Sequence, residues 1–355
     1  MEKIRIGVVG CGGMGMGCHI PAYKLDKKRV EIVAFCDIIE ERAIKAKKKF
    51  APKAKTYVDF NDLIADENVD AVDICTPNYW HSRIAVAALD AGKHVFCEKP
   101  DAVSPEEVLK MKAASEKSGK VLMVMRNNRF LGASKYAKEY IEQGNAGDLY
   151  AGRCGWIRRR GIPGKGGWFT TKALSGGGPL IDLGVHMLDL AIWLMGNPTP
   201  VAVSGCTFCK FADTETSDSV HSAFGEKKED GIFDVEDLAM GFIRFDNGAC
   251  LQLEFSWASN IEQESFFVEL RGSKAGMKWK NGYLDIFSED ADGKLTDESP
   301  TFLKTSGHQS NIEHFIDVIV KGDEPIFKPQ QGVDMIKILD AIYKSAESGF
   351  EVRLQ

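Results

Sequence analysis

Ile4-Arg5-Ile6-Gly7-Val8-Val9-Gly10-Cys11-Gly12-Gly13-Met14-Gly15 decides the fold. Residues 4–10 form a short apolar run with β-branched members, which reads as a buried strand. It feeds a Gly-x-Gly-x-x-Gly turn. Glycines so spaced permit a tight turn, close approach of backbone to a pyrophosphate, and close helix–strand packing. Gly10, Gly12, Gly13, Met14 and Gly15 are therefore candidate dinucleotide contacts. A lone turn of this kind is weak evidence, and the context strengthens it. The next strand, Val30–Asp37, ends in an acid 22 residues after Gly15. Asp37 can accept hydrogen bonds from ribose hydroxyls and repels a 2′-phosphate. Ile38 and Ile39 follow it and the nearest arginine is Arg42, so NAD is expected in preference to NADP.

Helix and strand then alternate, as in a parallel doubly wound sheet. Glu40–Phe50 reads as a lysine-rich surface helix. Residues 71–75 form a strand ending in Thr76-Pro77-Asn78, at the carboxyl edge where such sheets bind ligands. A helix over 80–91 carries His81 near its start. Strand 94–97 ends in Glu98-Lys99-Pro100, placing Lys99 on the same rim. Ser104-Pro105-Glu106-Glu107 supplies an N-cap, an N1 proline and an acidic first turn. A last strand at 121–125 brings the α/β domain to an expected boundary at 126.

Residues 127–355 read as an α+β domain with a mainly antiparallel sheet. A helix at about 133–143 precedes a strand at 148–160. Asp246-Asn247-Gly248 marks one hairpin, and Asn281-Gly282 a second between 266–280 and 283–288. Residues 212–236 read as a long loop, and helices are expected at about 310–320 and 332–348.

Composition bounds the function. Apolar content of 44% and charged content of 27% suit a globular protein of 355 residues with two cores. The formal charge of −6 argues against nucleic acid or an acidic membrane as partner. No apolar run approaches the roughly 20 residues of a bilayer span. Met1–Arg5 carries no leader pattern. Nine cysteines in mostly apolar stretches suggest free thiols and a cytoplasmic location. Cys206 and Cys209 lack a second pair, so no metal site is expected.

The chemistry concentrates in Gly176-Gly177-Gly178-Pro179-Leu180-Ile181-Asp182-Leu183-Gly184-Val185-His186-Met187-Leu188-Asp189. Glycines and a proline end where an apolar helical pattern begins. Asp182 and His186, four apart, fall on one helix face. A carboxylate beside an imidazole fixes its tautomer and suits it to general-base work. A metal set of Asp182, His186 and Asp189 has no neighbouring cysteine or further histidine to complete it.

With Gly10–Gly15, Asp37, Glu98-Lys99-Pro100, Asp182-x-x-x-His186 and the tail Lys344–Gly349 in this order, the chain resembles the Gfo/Idh/MocA oxidoreductases over essentially its full length. The resemblance implies a Rossmann domain followed by an open-sheet domain, assembled as dimers, tetramers or higher oligomers through the outer sheet face. It implies that Lys99 lies at the nicotinamide and binds the reacting oxygen. His186 would be the acid/base, and Asp182 its partner or a substrate ligand. Thr76, Pro77, Asn78, His81, Glu98 and Lys99 join the cofactor candidates, and a cis Lys99–Pro100 bond is implied. Oxidising an alcohol needs a base for the hydroxyl proton and a donor for the developing alkoxide, which His186 and Lys99 supply.

The expected activity is NAD-dependent oxidation of a secondary hydroxyl of a sugar, polyol or glycoside. The alternatives are redox-assisted glycoside cleavage with recycled NAD, and a non-catalytic dinucleotide-binding regulator. Selectivity is expected in the second domain. Strand alternation puts Trp156, Arg158 and Arg160 on one face, and a glycine-rich loop delivers Trp168 and Phe169 ahead of the catalytic helix. Arg158, Trp168 and His308 are the carbohydrate contacts expected besides Lys99, Asp182 and His186, with aromatic faces against C–H faces. The 212–236 loop is expected to leave room for an aglycone.

Overall fold

The computed structural model describes residues 3–354, so Met1, Glu2 and Gln355 of the terminal readings lie outside the described residues. Two compact units are present. One runs to Asn127 and also includes Ser306–Ile336; the other comprises Asn128–Thr305 and the chain from Lys337. The stretch 306–336 had been read with the second domain.

The first unit follows the alternation in the sequence. Its elements are β1 (Ile4–Val9), α1 (Ile20–Leu25), β2 (Val30–Cys36), α2 (Glu40–Phe50), β3 (Lys55–Tyr57), α3 (Phe60–Ala65), β4 (Ala71–Ile74), α4 (His81–Asp90), β5 (His94–Cys97), α5 (Pro105–Ser118) and β6 (Leu122–Val124). All strands pair in parallel, in the order β3-β2-β1-β4-β5-β6. The order reverses beside β1, so the glycine turn opens at the switch point of the sheet. Ser104 caps α5 by accepting from the Glu107 amide, and Gly119 ends the helix at φ +66°.

The returning segment contributes to the core of this unit. Helix Gly307–Lys321 buries Ile312, Phe315 and Ile316 in the cluster that holds Ile6, Val8 and Phe96. The Phe96 and Phe315 rings lie 5.2 Å apart. The Arg126 amide donates to Asn311 Oδ1 at 2.6 Å, and the Arg126 guanidinium pairs with the buried Asp101. Fully burying each large apolar side chain contributes about 1.5–3 kcal/mol.

In the second unit, α6 (Gly132–Glu142) precedes β7 (Leu149–Ile157). A short α7 (Lys172–Ser175) leads to α8 (Val185–Leu194). Then come β8 (Pro200–Phe208), β9 (Leu238–Phe245), β10 (Cys250–Ser256), β11 (Ser265–Gly272), β12 (Ala275–Lys280), β13 (Tyr283–Glu289) and β14 (Leu295–Glu298). Helix α9 is the Gly307–Lys321 helix of the first unit, α10 is Pro329–Ser348, and β15 is Val352–Arg353. The sheet order is β14-β13-β12-β11-β7-β10-β9-β8-β15, antiparallel except for the β7–β10 pair. Both Asn-Gly turns form: Asn281 and Gly282 take φ +52° and +86°, and Gly248 takes φ +84°.

Three local expectations are corrected. The strand expected over 266–280 is two strands that turn at Ser273–Lys274, a pair with weak turn chemistry. Strand β7 stops at Ile157 rather than 160. Lys172–Leu194 does reach membrane-spanning length and hydropathy, but 83% of its most apolar window is buried, so it is a core element of this unit.

Candidate active site

In the first unit, backbone geometry forces the glycine turn. Gly10 takes φ +97°, and a Cβ there would stand 2.4 Å from the Cys75 carbonyl oxygen. A Cβ on Gly15 would stand 2.3 Å from the Gly10 oxygen, whereas at Gly12 and Gly13 it would meet nothing within 4 Å. The turn is thus packed on its inner side and open on its outer side, as a phosphate cradle requires. Met14 continues it in αR geometry into a π-helical turn, Gly15–His19. Asp37 is buried at the end of β2. It accepts from the Cys11 amide at 2.9 Å and the Ile39 amide at 2.9 Å, tying the second strand to the turn.

The rim after β4 and β5 is held from below. His81 was read as a cofactor contact, yet it is fully buried. Its Nδ1 lies 2.7 Å from the Pro100 oxygen and its Nε2 2.9 Å from the Thr76 oxygen. His81 therefore lies between the Thr76-Pro77-Asn78 turn and the Glu98-Lys99-Pro100 turn, and as a neutral ring it donates to one of the two carbonyls. Burial pushes its pKa down, against the pull of the two carbonyls. Asn78 is buried, and Lys99–Pro100 is cis, as the resemblance implied. Glu98 Oε2 accepts from the Lys99 amide at 3.0 Å.

A cluster that the sequence reading passed over lies beneath Lys99. His19 places Nδ1 2.9 and 3.0 Å from the two Asp73 oxygens, and Nε2 2.8 Å from Glu98 Oε1. The three residues are 0%, 0% and 5% exposed. Burial pushes the His19 pKa down, but the charge and hydrogen bond of Asp73, together with the neighbouring Cys75, outweigh it and hold the pKa well above the usual value. Burial would raise the Glu98 pKa, but the hydrogen bond and charge of His19 hold it well below the carboxylate range. The signal in the sequence was Asp73, an acid inside an otherwise apolar strand. His308, on the first turn of α9, lies within the electrostatic reach of Glu98, His19 and Lys99; burial pushes its pKa down.

In the second unit, the Gly176 stretch does not begin a plain α-helix. Leu180–Gly184 is a π-helical turn that runs into α8. Asp182 therefore sits in the π turn and His186 in the first α turn, instead of one α turn apart. Between Pro179 and Leu194 only Asp182, His186 and Ile192 escape full burial. The buried Glu236 carboxylate fixes the turn: it accepts from the Gly178 amide at 2.9 Å, the Leu180 amide at 3.1 Å and the Tyr343 hydroxyl at 2.9 Å. Asp182 Oδ2 accepts the indole N–H of Trp257 at 3.0 Å. Asp189 is committed to Arg129 at 2.7 and 2.8 Å. That occupies the second of the two carboxylates in the set of Asp182, His186 and Asp189 weighed above.

Arg158 is buried near the same turn, 5.1 Å from the Trp156 ring. Burial lowers its pKa while Asp182 and Glu264 pull it up. The Trp156 ring lies 5.8 Å from that of His186. Because β7 ends early, Arg160 leaves the expected face and donates to the Arg159 and Ser259 carbonyls. Trp168 stacks on Phe169 at 3.8 Å.

Residues 4–126 match the NAD-binding Rossmann-fold domain of the Gfo/Idh/MocA oxidoreductase family, and residues 138–354 match its C-terminal α/β domain. The chain belongs to this family. It is 32% identical over 354 residues to the D-glucoside 3-dehydrogenase of Escherichia coli (strain K12), covering 99% of this chain and 98% of that protein. It is 29% identical over 291 residues to the levoglucosan dehydrogenase of Pseudarthrobacter phenanthrenivorans, covering 78% of this chain and 73% of that protein. A solved levoglucosan dehydrogenase in complex with NADH and levoglucosan superposes with a TM-score of 0.84 at 26% identity, covering 99% of both chains.

For this Gfo/Idh/MocA oxidoreductase, the open outer side of Gly12 and Gly13 fits the NAD that its first domain type binds. His19, Glu236 and Trp257 carry no local motif in the sequence; the structure joins each of them, and Asp73, to a neighbour by hydrogen bonds.

Proposed function

We propose that the protein oxidises a ring secondary hydroxyl of a pyranose sugar or glycoside to the ketone. NAD, when bound, supplies the hydride acceptor. The observation that carries the reading is that Asp182 and His186 are the two polar residues not fully buried in an otherwise buried helical stretch. His186 takes the hydroxyl proton, and Asp182 orients it or binds a neighbouring hydroxyl. The Lys99 ammonium donates to the reacting oxygen and stabilises the alkoxide as it forms. Gly10, Gly12, Gly13, Met14, Gly15, Asp37, Thr76, Pro77 and Asn78 bind the cofactor, and His81 and Glu98 hold the rim in place.

Arg158, Trp168 and His308 are the further substrate contacts of this reading. The glycoside preference draws on the relative that acts as a D-glucoside dehydrogenase. The outer sheet face carries the half-buried Phe242 and Phe267 and the exposed Phe287 beside the Arg153–Glu269 pair. This mixture of aromatic and paired charged groups suits a homo-oligomer interface. Nine free cysteines suit a cytoplasmic enzyme.

The test is NADH absorbance with glucose-type sugars, their glycosides, inositols and sugar acids. NADH should accumulate with pyranosides. Activity only on a uronate, or only on a non-carbohydrate alcohol, would overturn the reading. Aglycone release without NADH accumulation would replace it with redox-neutral cleavage.

A further inference from the structure

We propose that His19 is a positioning residue for Lys99, acting as a buried imidazolium that bridges Asp73 and Glu98. The geometry carries this. Nδ1 faces both Asp73 oxygens and Nε2 faces Glu98 Oε1. Ionised carboxylates are pure acceptors, so the ring meets both only when each nitrogen bears a proton. The three side chains come from three elements: the turn that follows the glycine cradle, the strand β4, and the end of β5. All three are buried, and removing the central cation would leave two carboxylates buried together, a costly arrangement.

The link to Lys99 is direct. Glu98 uses Oε1 for His19 and Oε2 for the Lys99 amide. One carboxylate thus joins the base of the dinucleotide turn to the backbone of the lysine. The charged and titratable neighbours of the ring are Asp73 from β4, Cys75 just after that strand, Glu98 and Lys99 from the rim, Cys18 beside it and His308 from α9. Burial pushes the Cys75 thiol well above its usual range, so it stays neutral and Asp73 and Glu98 supply the anions. His19 touches neither reacting atom. Its effect on turnover runs through where Glu98 holds Lys99, and so rests on the role proposed for Lys99 above.

The experiment uses two variants and one spectroscopic measurement on the intact enzyme. Glutamine can place an amide N–H near the position of Nε2, and asparagine near that of Nδ1. His19→Gln therefore preserves the Glu98 bond, and His19→Asn preserves the Asp73 bond. The expected order of kcat is wild type, then His19→Gln, then His19→Asn, with about tenfold between the two variants and NAD Kd within about threefold throughout. Nitrogen-15 spectra of histidine-labelled wild type should show His19 doubly protonated at about pH 8, where a free imidazole is neutral.

A neutral His19 at that pH overturns the proposal. So does a His19→Asn variant as fast as His19→Gln, or a loss confined to NAD binding. If the variants do not fold, the spectrum of the wild type still decides the charge. Lys99→Ala with wild-type turnover would refute the role of Lys99, a failure read from a different variant.

Discussion

Trp257 donates its indole N–H to Asp182 across 3.0 Å, and the donor is wholly buried. The carboxylate is thereby held in one rotamer at the head of the helical stretch that carries His186. Asparagine at position 182 can still accept from the indole but carries no charge. Asp182→Asn should lower kcat by roughly tenfold, the size of one lost charge interaction of about 1.4 kcal/mol, while the melting temperature moves little. Trp257→Phe should do the reverse, losing stability by about 1.5–3 kcal/mol for a hydrogen bond to a charged group. Turnover and thermal melts of the two variants separate the effects.

His186→Ala should reduce kcat by about 10²–10⁴-fold, the usual loss for one positioned acid/base. NAD affinity should stay within a few fold. Near wild-type turnover at neutral pH would assign the base to another residue.

Besides the ribose contact proposed for it, Asp37 accepts from the Cys11 and Ile39 amides. Asp37→Ala should weaken NAD by roughly tenfold or more, about 1.4 kcal/mol per decade. It should also narrow the preference over NADP, since the repelling charge is gone. Titration of both cofactors checks this, and equal affinities in the wild type would refute the assignment.

The Asp73–His19–Glu98 cluster makes stability depend on pH in a defined direction. His19 has a raised pKa in the folded state, so its contribution is complete below its unfolded value of about 6.5 and declines as pH rises through the folded value. Glu98 has a lowered pKa, so its contribution is complete above about 4.5 and declines as pH falls through the folded value. The gap in urea midpoint between wild type and His19→Gln should be widest at about pH 4.5–6.5 and narrow toward alkaline pH. A gap that widens with rising pH would contradict the charged bridge.

Glu236→Ala should destabilise the second unit, leaving the Gly178 and Leu180 amides and the Tyr343 hydroxyl without this acceptor. An unsatisfied buried donor costs about 1–3 kcal/mol. Urea denaturation measures it, and an unchanged midpoint would show that these donors find other partners.

The sheet architecture was legible because its signals are local: β-branched runs, the Gly10–Gly15 turn and two Asn-Gly hairpins. The rim turns were legible for the same reason. The π turn at Leu180–Gly184 was not, since one extra residue per turn leaves no mark in an apolar pattern. The carbonyl contacts of His81 were not legible, because a histidine at a helix start carries the same letters whether it faces a ligand or two carbonyls. The His19 cluster joins residues 54 and 79 positions apart, a pairing that only the folded sheet brings about. Helix α9 shows a periodic apolar face, but the sequence does not say which core that face joins.

The segment Ser306–Ile336 gives synthesis an order of events. The nucleotide-binding sheet leaves the ribosome first, yet Ile312, Phe315 and Ile316, which pack against it, come nearly two hundred residues later. At ~5–20 residues per second the gap is on the order of ten seconds or more. Throughout it the apolar side around Phe96 has no permanent cover. A nascent chain released at Asn127 is an unfinished object, prone to chaperone capture and to aggregation. The cofactor half of this enzyme matures only after residues 128–305 have been made.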